Sequence, residues 1–178
     1  DGRIIDTPGH DEPTGVYFDP GQASFPKVPA SPTRDDALRA LGKLNELISG
    51  FPFVDGLSRS VALAEILTPF KRPFLRAAPM VLNTAPKMGS GKTLLATVAS
   101  NIATGRPPAS MSQQDNPEEE NKRYLSLLME GSAVTVIDNI ERPIKSDALC
   151  TILTEPTWKD RVLGQSRTVE VNTSTTWI

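Results

Sequence analysis

The chain has one cysteine, Cys150, and one histidine, His10, among its 178 residues. Counting alone excludes an internal disulfide, a zinc cluster built from cysteine and histidine, and a histidine-based catalytic triad within it. A reducing, cytoplasmic setting is the expectation, with Cys150 read as a buried helix residue and His10 as a turn residue. Aromatic residues are scarce at 6 %. No apolar run approaches the roughly 20 residues that a membrane-spanning helix needs, so no membrane partner is expected. A surplus of one charge is missing too: 19 Lys and Arg face 21 Asp and Glu, for a formal net charge of −2. Bulk electrostatics therefore gives no support for nucleic-acid binding, and any such contact has to be local.

Proline is what the chain has in excess, 16 in all, with Pro8, Pro13, Pro20, Pro26, Pro29 and Pro32 crowded into the opening. Residues 1–32 are accordingly expected to form an extended arm that cannot build a core by itself. Short extended pieces at residues 2–5 and 15–18 suggest a small hairpin, with turns at Pro8-Gly9 and Asp19-Pro20-Gly21. Residues 33–178 are enough for one α/β domain. Thr33 reads as the N-cap of a first helix, with Asp36 facing the orphan N–H groups and Leu38, Leu41, Leu44, Leu47 and Ile48 on its apolar stripe. A second helix is expected over residues 58–67, before Pro69, and both stripes read as core.

The densest signal is Lys87-Met88-Gly89-Ser90-Gly91-Lys92-Thr93-Leu94. An apolar run at residues 79–83 enters it as a short strand and a helical pattern leaves it. That is the layout of a phosphate-binding loop between strand and helix. Gly89 and Gly91 let the backbone curl so that several N–H groups point at one anion. Lys92 supplies a positive charge for the β- and γ-phosphates, Thr93 a hydroxyl for Mg²⁺, and the helix dipole favours the same ligand. Mg-ATP is the expected cofactor pair. The full loop pattern asks for a glycine where this chain has Pro86, so only the Gly-x-Gly-Lys-Thr core is present.

Residues 133–138 form a β-branched run ending in Asp138, which suits a buried parallel strand whose end faces the ligand. Asp138 is the candidate second Mg²⁺ contact. Asn139 follows it where many such ATPases carry a glutamate. It can hold a water by hydrogen bonding but cannot accept a proton. Glu141 could take that role if the turn carries it inward; otherwise, before Pro143, it is a solvated carboxylate. Asn116-Pro117 with Glu118, Glu119 and Glu120 reads as a capped helix start leading to Tyr124, Leu125, Leu127 and Leu128. A strand is expected over residues 106–111.

Near the end, a helix closing at Glu155 precedes two strands that turn around Gly164-Gln165-Ser166. Trp158, Lys159, Arg161 and Arg167 on that hairpin carry three readings. They could stack a base and hold phosphates of single-stranded DNA, or Trp158 could pack in the core with Arg161 paired to Asp160 or Glu155. Alternatively Arg161 or Arg167 reaches a neighbouring subunit's nucleotide as an arginine finger.

Taken together, Ala85-Pro86 with Gly89, Gly91, Lys92 and Thr93, then Ile137-Asp138-Asn139-Ile140-Glu141, Ser146-Asp147-Ala148-Leu149 and Thr157-Trp158-Lys159-Asp160-Arg161-Val162-Leu163-Gly164 resemble the ATPase segment of primase-helicases from prophages and other mobile elements. These are relatives of superfamily 3 helicases within the AAA+ class. The resemblance covers about residues 33–178. It implies a three-layer P-loop NTPase with a mostly parallel central sheet, preceded by the Pro-rich arm and two helices. It further implies an ATP-driven motor on DNA during replication, working as a ring with active sites between subunits. In that family an asparagine on the strand corresponding to residues 175–178 senses the γ-phosphate, so the chain is expected to be a piece truncated before that residue and weakly active alone. Two rivals use the same loop: a nucleotide-switched assembly module with little turnover, and a small-molecule kinase.

Overall fold

A computed structural model describes residues 4–87, 89–161 and 167–178. Met88, part of the expected phosphate loop, and residues 162–166, which include the expected hairpin turn, lie outside the described residues, as do Gly2 and Arg3. The chain divides into two compact units, Asp1–Leu44 and Asn45–Ile178.

In the first unit a hairpin does form, but its first strand is not at residues 2–5. Strand β1 (Gly9–Asp11) pairs antiparallel with β2 (Val16–Phe18). The turn between them is held by Asp11, whose carboxylate accepts from the Thr14 N–H at 3.2 Å. His10 therefore sits in a strand rather than a turn, and is exposed. Helix α1 (Arg34–Leu47) starts as expected: the Asp36 N–H donates to Thr33 Oγ1 at 3.2 Å and the Thr33 N–H donates back to Asp36 at 2.8 Å. Most of its expected apolar stripe is not core: the helix buries no residue and Leu38, Leu41 and Leu47 are exposed, while Ile48, just past its end, is fully buried.

The second unit is mixed α/β. Helix α2 (Gly56–Lys71) is longer than its sequence pattern indicated and carries Pro69 inside it. A proline there only deprives the Glu65 carbonyl of an N–H partner, a modest loss near a helix end. α2 packs on α3 (Lys92–Thr104), which follows the glycine loop and stops at Gly105 in the left-handed region. Strand β3 (Ala109–Ser112) then precedes α4 (Pro117–Met129), β4 (Val134–Asp138) and α5 (Asp147–Thr154). Strands β5 (Thr157–Arg161) and β6 (Thr168–Asn172) form the expected antiparallel pair, and β7 (Thr176–Trp177) completes the described elements.

The central sheet is parallel, in the order β3-β4-β7. The run entering the glycine loop is not a regular strand, but the Val81 N–H donates to the Trp177 carbonyl at 3.1 Å, which places it beyond β7. So β7 lies between the loop's entry run and the strand bearing Asp138. Alternation along β4 then sorts its side chains. Ile137 joins Tyr124, Leu125, Leu149, Ile152, Trp158 and Trp177 in the main core cluster. Within it Tyr124 meets Trp177 edge-on, centroids 5.4 Å apart. Val134, Val136 and Asp138 share the opposite face. Cys150 is on α5 as expected but is exposed, because α5 buries Leu149 and Ile152 and turns Cys150 away.

Arg72 ties this unit together. It is buried, and its guanidinium donates to three carbonyls: Thr175 at 3.2 Å, Leu75 at 2.8 Å and Thr173 at 2.9 Å. Three backbone dipoles replace the water the cation gave up. The clamp joins the end of α2 to the connection between β6 and β7, and so fixes β7 beside the loop's entry run.

Candidate functional site

The C-terminal ends of β4 and β7, the entry run and the start of α3 enclose a hollow of about 500 Å³. Asn83, Thr84 and Ala85 line it from the run, Lys92, Thr93 and Ala96 from α3, residues 136–141 from β4 and the turn after it, and Ile178 from beyond β7. That volume lies in the ordinary range for small-molecule sites, and the ends of parallel strands are where open α/β sheets bind them. Lys92, Thr93, Asp138, Asn139 and Glu141, far apart in sequence, are thus brought to one wall-to-wall site.

Backbone geometry prepares the α3 side. Gly89 has φ 73° and Gly91 φ 90°, conformations that L side chains rarely adopt. A Cβ at Gly91 would also lie 3.1 Å from the Phe51 ring. No side chain caps the N-terminus of α3. Its first N–H groups are left for another partner, whereas α2, α4 and α5 each receive a side-chain oxygen, from Asp55, Asn116 and Ser146. The buried Ser90 hydroxyl has no hydrogen-bond partner among the described residues. Lys92 forms no ion pair with a described residue, while Lys87, Gly89, Thr93 and Leu94 are exposed. These residues fit a polyphosphate: uncommitted donors, the Lys92 cation and a glycine backbone with room for close approach. Thr93 and Asp138 are the pair suited to Mg²⁺, a hydroxyl and a carboxylate on opposite walls. Among the described residues no group of three or more His, Cys, Asp and Glu is placed to hold a metal by itself.

The turn after β4 is distinctive. Asn139 is the one described non-glycine residue with positive φ, at 53°, and its N–H donates to the Asp138 carboxylate at 2.9 Å. Two residues on, Glu141 lines the edge of the hollow and is exposed.

Two partnerships at this site left no trace in the sequence pattern. Glu65 of α2 is fully buried, and both its carboxylate oxygens accept from Asn83 Nδ2, at 3.2 and 3.1 Å. Burial pushes its pKa up to about 7, the Asn83 hydrogen bond pulling the other way. Gln113, just after β3, holds the backbone of Arg142 in the turn after β4. In a sequence, one glutamate inside an apolar helix and one glutamine after a strand look like ordinary surface positions.

On the hairpin, Trp158 is buried in the core cluster, so its indole would have to leave the core to stack on a base. Lys159 pairs with Glu170 at 3.3 Å. Glu155 pairs with Arg76 rather than Arg161, at 3.3 Å, and Asp160 accepts from the Arg161 N–H at 2.7 Å. Arg161 closes β5 opposite Thr168, so Arg161 and Arg167 sit together at the outer end of the pair, both exposed. Among the described residues no helix is long and apolar enough to cross a membrane.

Comparison with family models, with curated proteins and with solved structures returns no match.

Proposed function

We propose that the second unit is a P-loop ATPase module that binds and hydrolyses Mg-ATP in the hollow between α3 and β4. The observation that carries the reading is the meeting of Lys92, Thr93 and Asp138 in one hollow, beneath a helix start with no side-chain cap. Backbone N–H groups from Gly89 to Lys92 would cradle the phosphates, with Lys87 and Leu94 flanking them. Lys92 would neutralise the β- and γ-phosphates, and Thr93 and Asp138 would hold Mg²⁺, which supplies charge neutralisation when bound. The position of β7 strengthens the reading, since Ile178 lines the hollow between the two walls.

The motor reading rests on the hairpin and the family resemblance: a DNA helicase or primase-helicase of a mobile element, assembled as a ring. Arg161, which closes β5 opposite Thr168, and Arg167, just before β6, are the groups that would meet single-stranded DNA or a neighbouring subunit's nucleotide. A second reading, a nucleotide-switched assembly module, is favoured by Asn139, which puts a non-basic amide beside Asp138. The deciding experiment measures Mg-ATP hydrolysis with and without single-stranded DNA, beside Lys92→Ala. DNA stimulation that Lys92→Ala abolishes is the expected result. Binding with slow turnover indifferent to DNA would favour the assembly module, and no Mg-ATP binding by the wild type would refute both.

A further inference from the structure

The turn that carries Glu141 is fastened at both ends. At its start Asn139 occupies the left-handed region and its N–H folds onto the Asp138 carboxylate. At its far end one side-chain amide grips one backbone position: Gln113 Nε2 donates to the Arg142 carbonyl at 3.1 Å, and Gln113 Oε1 accepts from the Arg142 N–H at 3.2 Å. A planar amide that both donates to and accepts from the same residue imitates a rung of a sheet, and so fixes direction as well as distance. The Arg142 guanidinium adds an ion pair with Asp115, two residues past Gln113. Between the two fastenings lies Glu141, lining the hollow with Lys92 and Asp138.

A fastened exposed turn beside a reactive site has a chemical use. Hydrolysis needs a group to take the proton of the attacking water, and Asn139 cannot accept one. We propose that Gln113 is a positioning residue that holds Glu141 where it orients and deprotonates the water attacking the terminal phosphate. In that step the water oxygen bonds to the γ-phosphorus and its proton passes to the Glu141 carboxylate. The bond from phosphorus to the bridging oxygen breaks, and ADP leaves with the electron pair. The inference rests on the Mg-ATP reading of the hollow. It adds that the base comes from the turn rather than from the residue next to Asp138, and that its placement depends on β3.

The test uses single-turnover hydrolysis with the protein in excess over ATP, Mg-ATP affinity, and amide hydrogen exchange of the turn without nucleotide. Glu141→Gln is expected to slow hydrolysis about a hundredfold. Gln113→Ala should slow it about tenfold, with affinity held within about twofold, and should speed exchange at Arg142 while α3 stays protected. Gln113→Glu, which can accept from the Arg142 N–H but cannot donate to its carbonyl when ionised, should fall between Gln113→Ala and wild type. In the Glu141→Gln background Gln113→Ala should cost nothing further, because a misplaced base cannot be lost twice. Multiplying losses in the double variant would overturn the proposal, as would a Gln113→Ala rate equal to wild type. A wild type that binds Mg-ATP without hydrolysing it would also overturn it while leaving the binding site standing. Failure of the wild type to bind Mg-ATP would instead remove the nucleotide reading itself.

Discussion

Helices α3 and α4 begin in opposite ways. At the start of α4 the Asn116 side chain accepts from the Glu118 N–H at 2.9 Å, Pro117 presets the first turn, and Glu118, Glu119 and Glu120 face the positive end of the dipole. At the start of α3 the cap position is Gly91 with φ 90°, no side chain reaches the orphan N–H groups, and the first-turn charge is a cation, Lys92. Taken as an isolated helix, α3 forgoes about 1 kcal/mol of capping and accepts a charge of the unfavourable sign. The same chain caps α2, α4 and α5, so the exception at α3 is local. Local rules broken at one place and kept around it mark a site that an outside partner completes, and an anion reverses each of α3's deficits.

Lys92→Ala is the severest way to break this contrast. If the bare start of α3 is a phosphate site, removing its cation should lower Mg-ATP turnover by about a hundred- to a thousandfold. Circular dichroism should show an intact fold, since Lys92 pairs with no described carboxylate. Undiminished turnover would make the glycine loop an ordinary turn.

A second contrast concerns carboxylates. Those opening α4 are solvated or half-exposed, whereas Glu65 is fully buried against a single amide. Its folded pKa, about 7, lies above the usual glutamate value of 4.5. Its contribution to stability is therefore fully present below the unfolded pKa and is lost as pH rises through the folded value. Between those limits the loss is on the order of 3 kcal/mol, from 1.36 kcal/mol per unit. Urea unfolding at pH 5 and pH 8 should show wild type losing stability on that scale, and Glu65→Gln, which keeps an oxygen to accept from Asn83, should flatten the profile. An unchanged profile would mean that Glu65 does not titrate in this range.

What the sequence disclosed was whatever is coded in consecutive residues. The glycine loop, the β-branched run ending in Asp138, the caps at Thr33 and Asn116 and the antiparallel pair β5 and β6 all depend on neighbours within a few positions. What it hid depends on partners far away in the chain. Residues 79–83 read as a strand, yet they join the sheet through a backbone hydrogen bond at Val81, and their neighbour β7 comes nearly a hundred residues later. Glu65 meets Asn83, Gln113 meets Arg142 and Arg72 meets Thr173 and Thr175 by tertiary geometry that no period announces. Leu38 and Leu41 fit a helical stripe perfectly well and are nevertheless exposed, because periodicity specifies which face is apolar and not whether anything covers it. Asn139 misled in a different way: read as a substitute for a missing carboxylate, it is also the residue that accepts a positive φ two positions before Glu141, which lines the hollow.

Leu94→Glu would sharpen the comparison of the two helices by giving α3 the acidic first turn of α4. Leu94 is 58 % exposed, so the substitution removes little packing. The carboxylate should raise stability by about 0.3–1 kcal/mol through the helix dipole. It should also weaken Mg-ATP binding by about tenfold, as one like charge near the phosphates opposes the ligand. Opposite signs in the two measurements are the signature sought, and a parallel change in both would show that the helix start and the ligand do not compete for the same N–H groups.

Asn116→Ala is the converse experiment and carries the smallest effect. It strips the cap from α4, leaving the Glu118 N–H without its side-chain partner, and should cost about 1 kcal/mol in urea unfolding. Because α4 packs Tyr124 and Leu125 against the core rather than lining the hollow, Mg-ATP affinity should not change. A cap whose loss is felt in stability alone, beside an uncapped helix whose first turn is felt in binding, would establish that the two starts serve different ends. If affinity fell along with stability, the bare start of α3 would owe its ligand to the firmness of the whole unit rather than to its own exposed N–H groups.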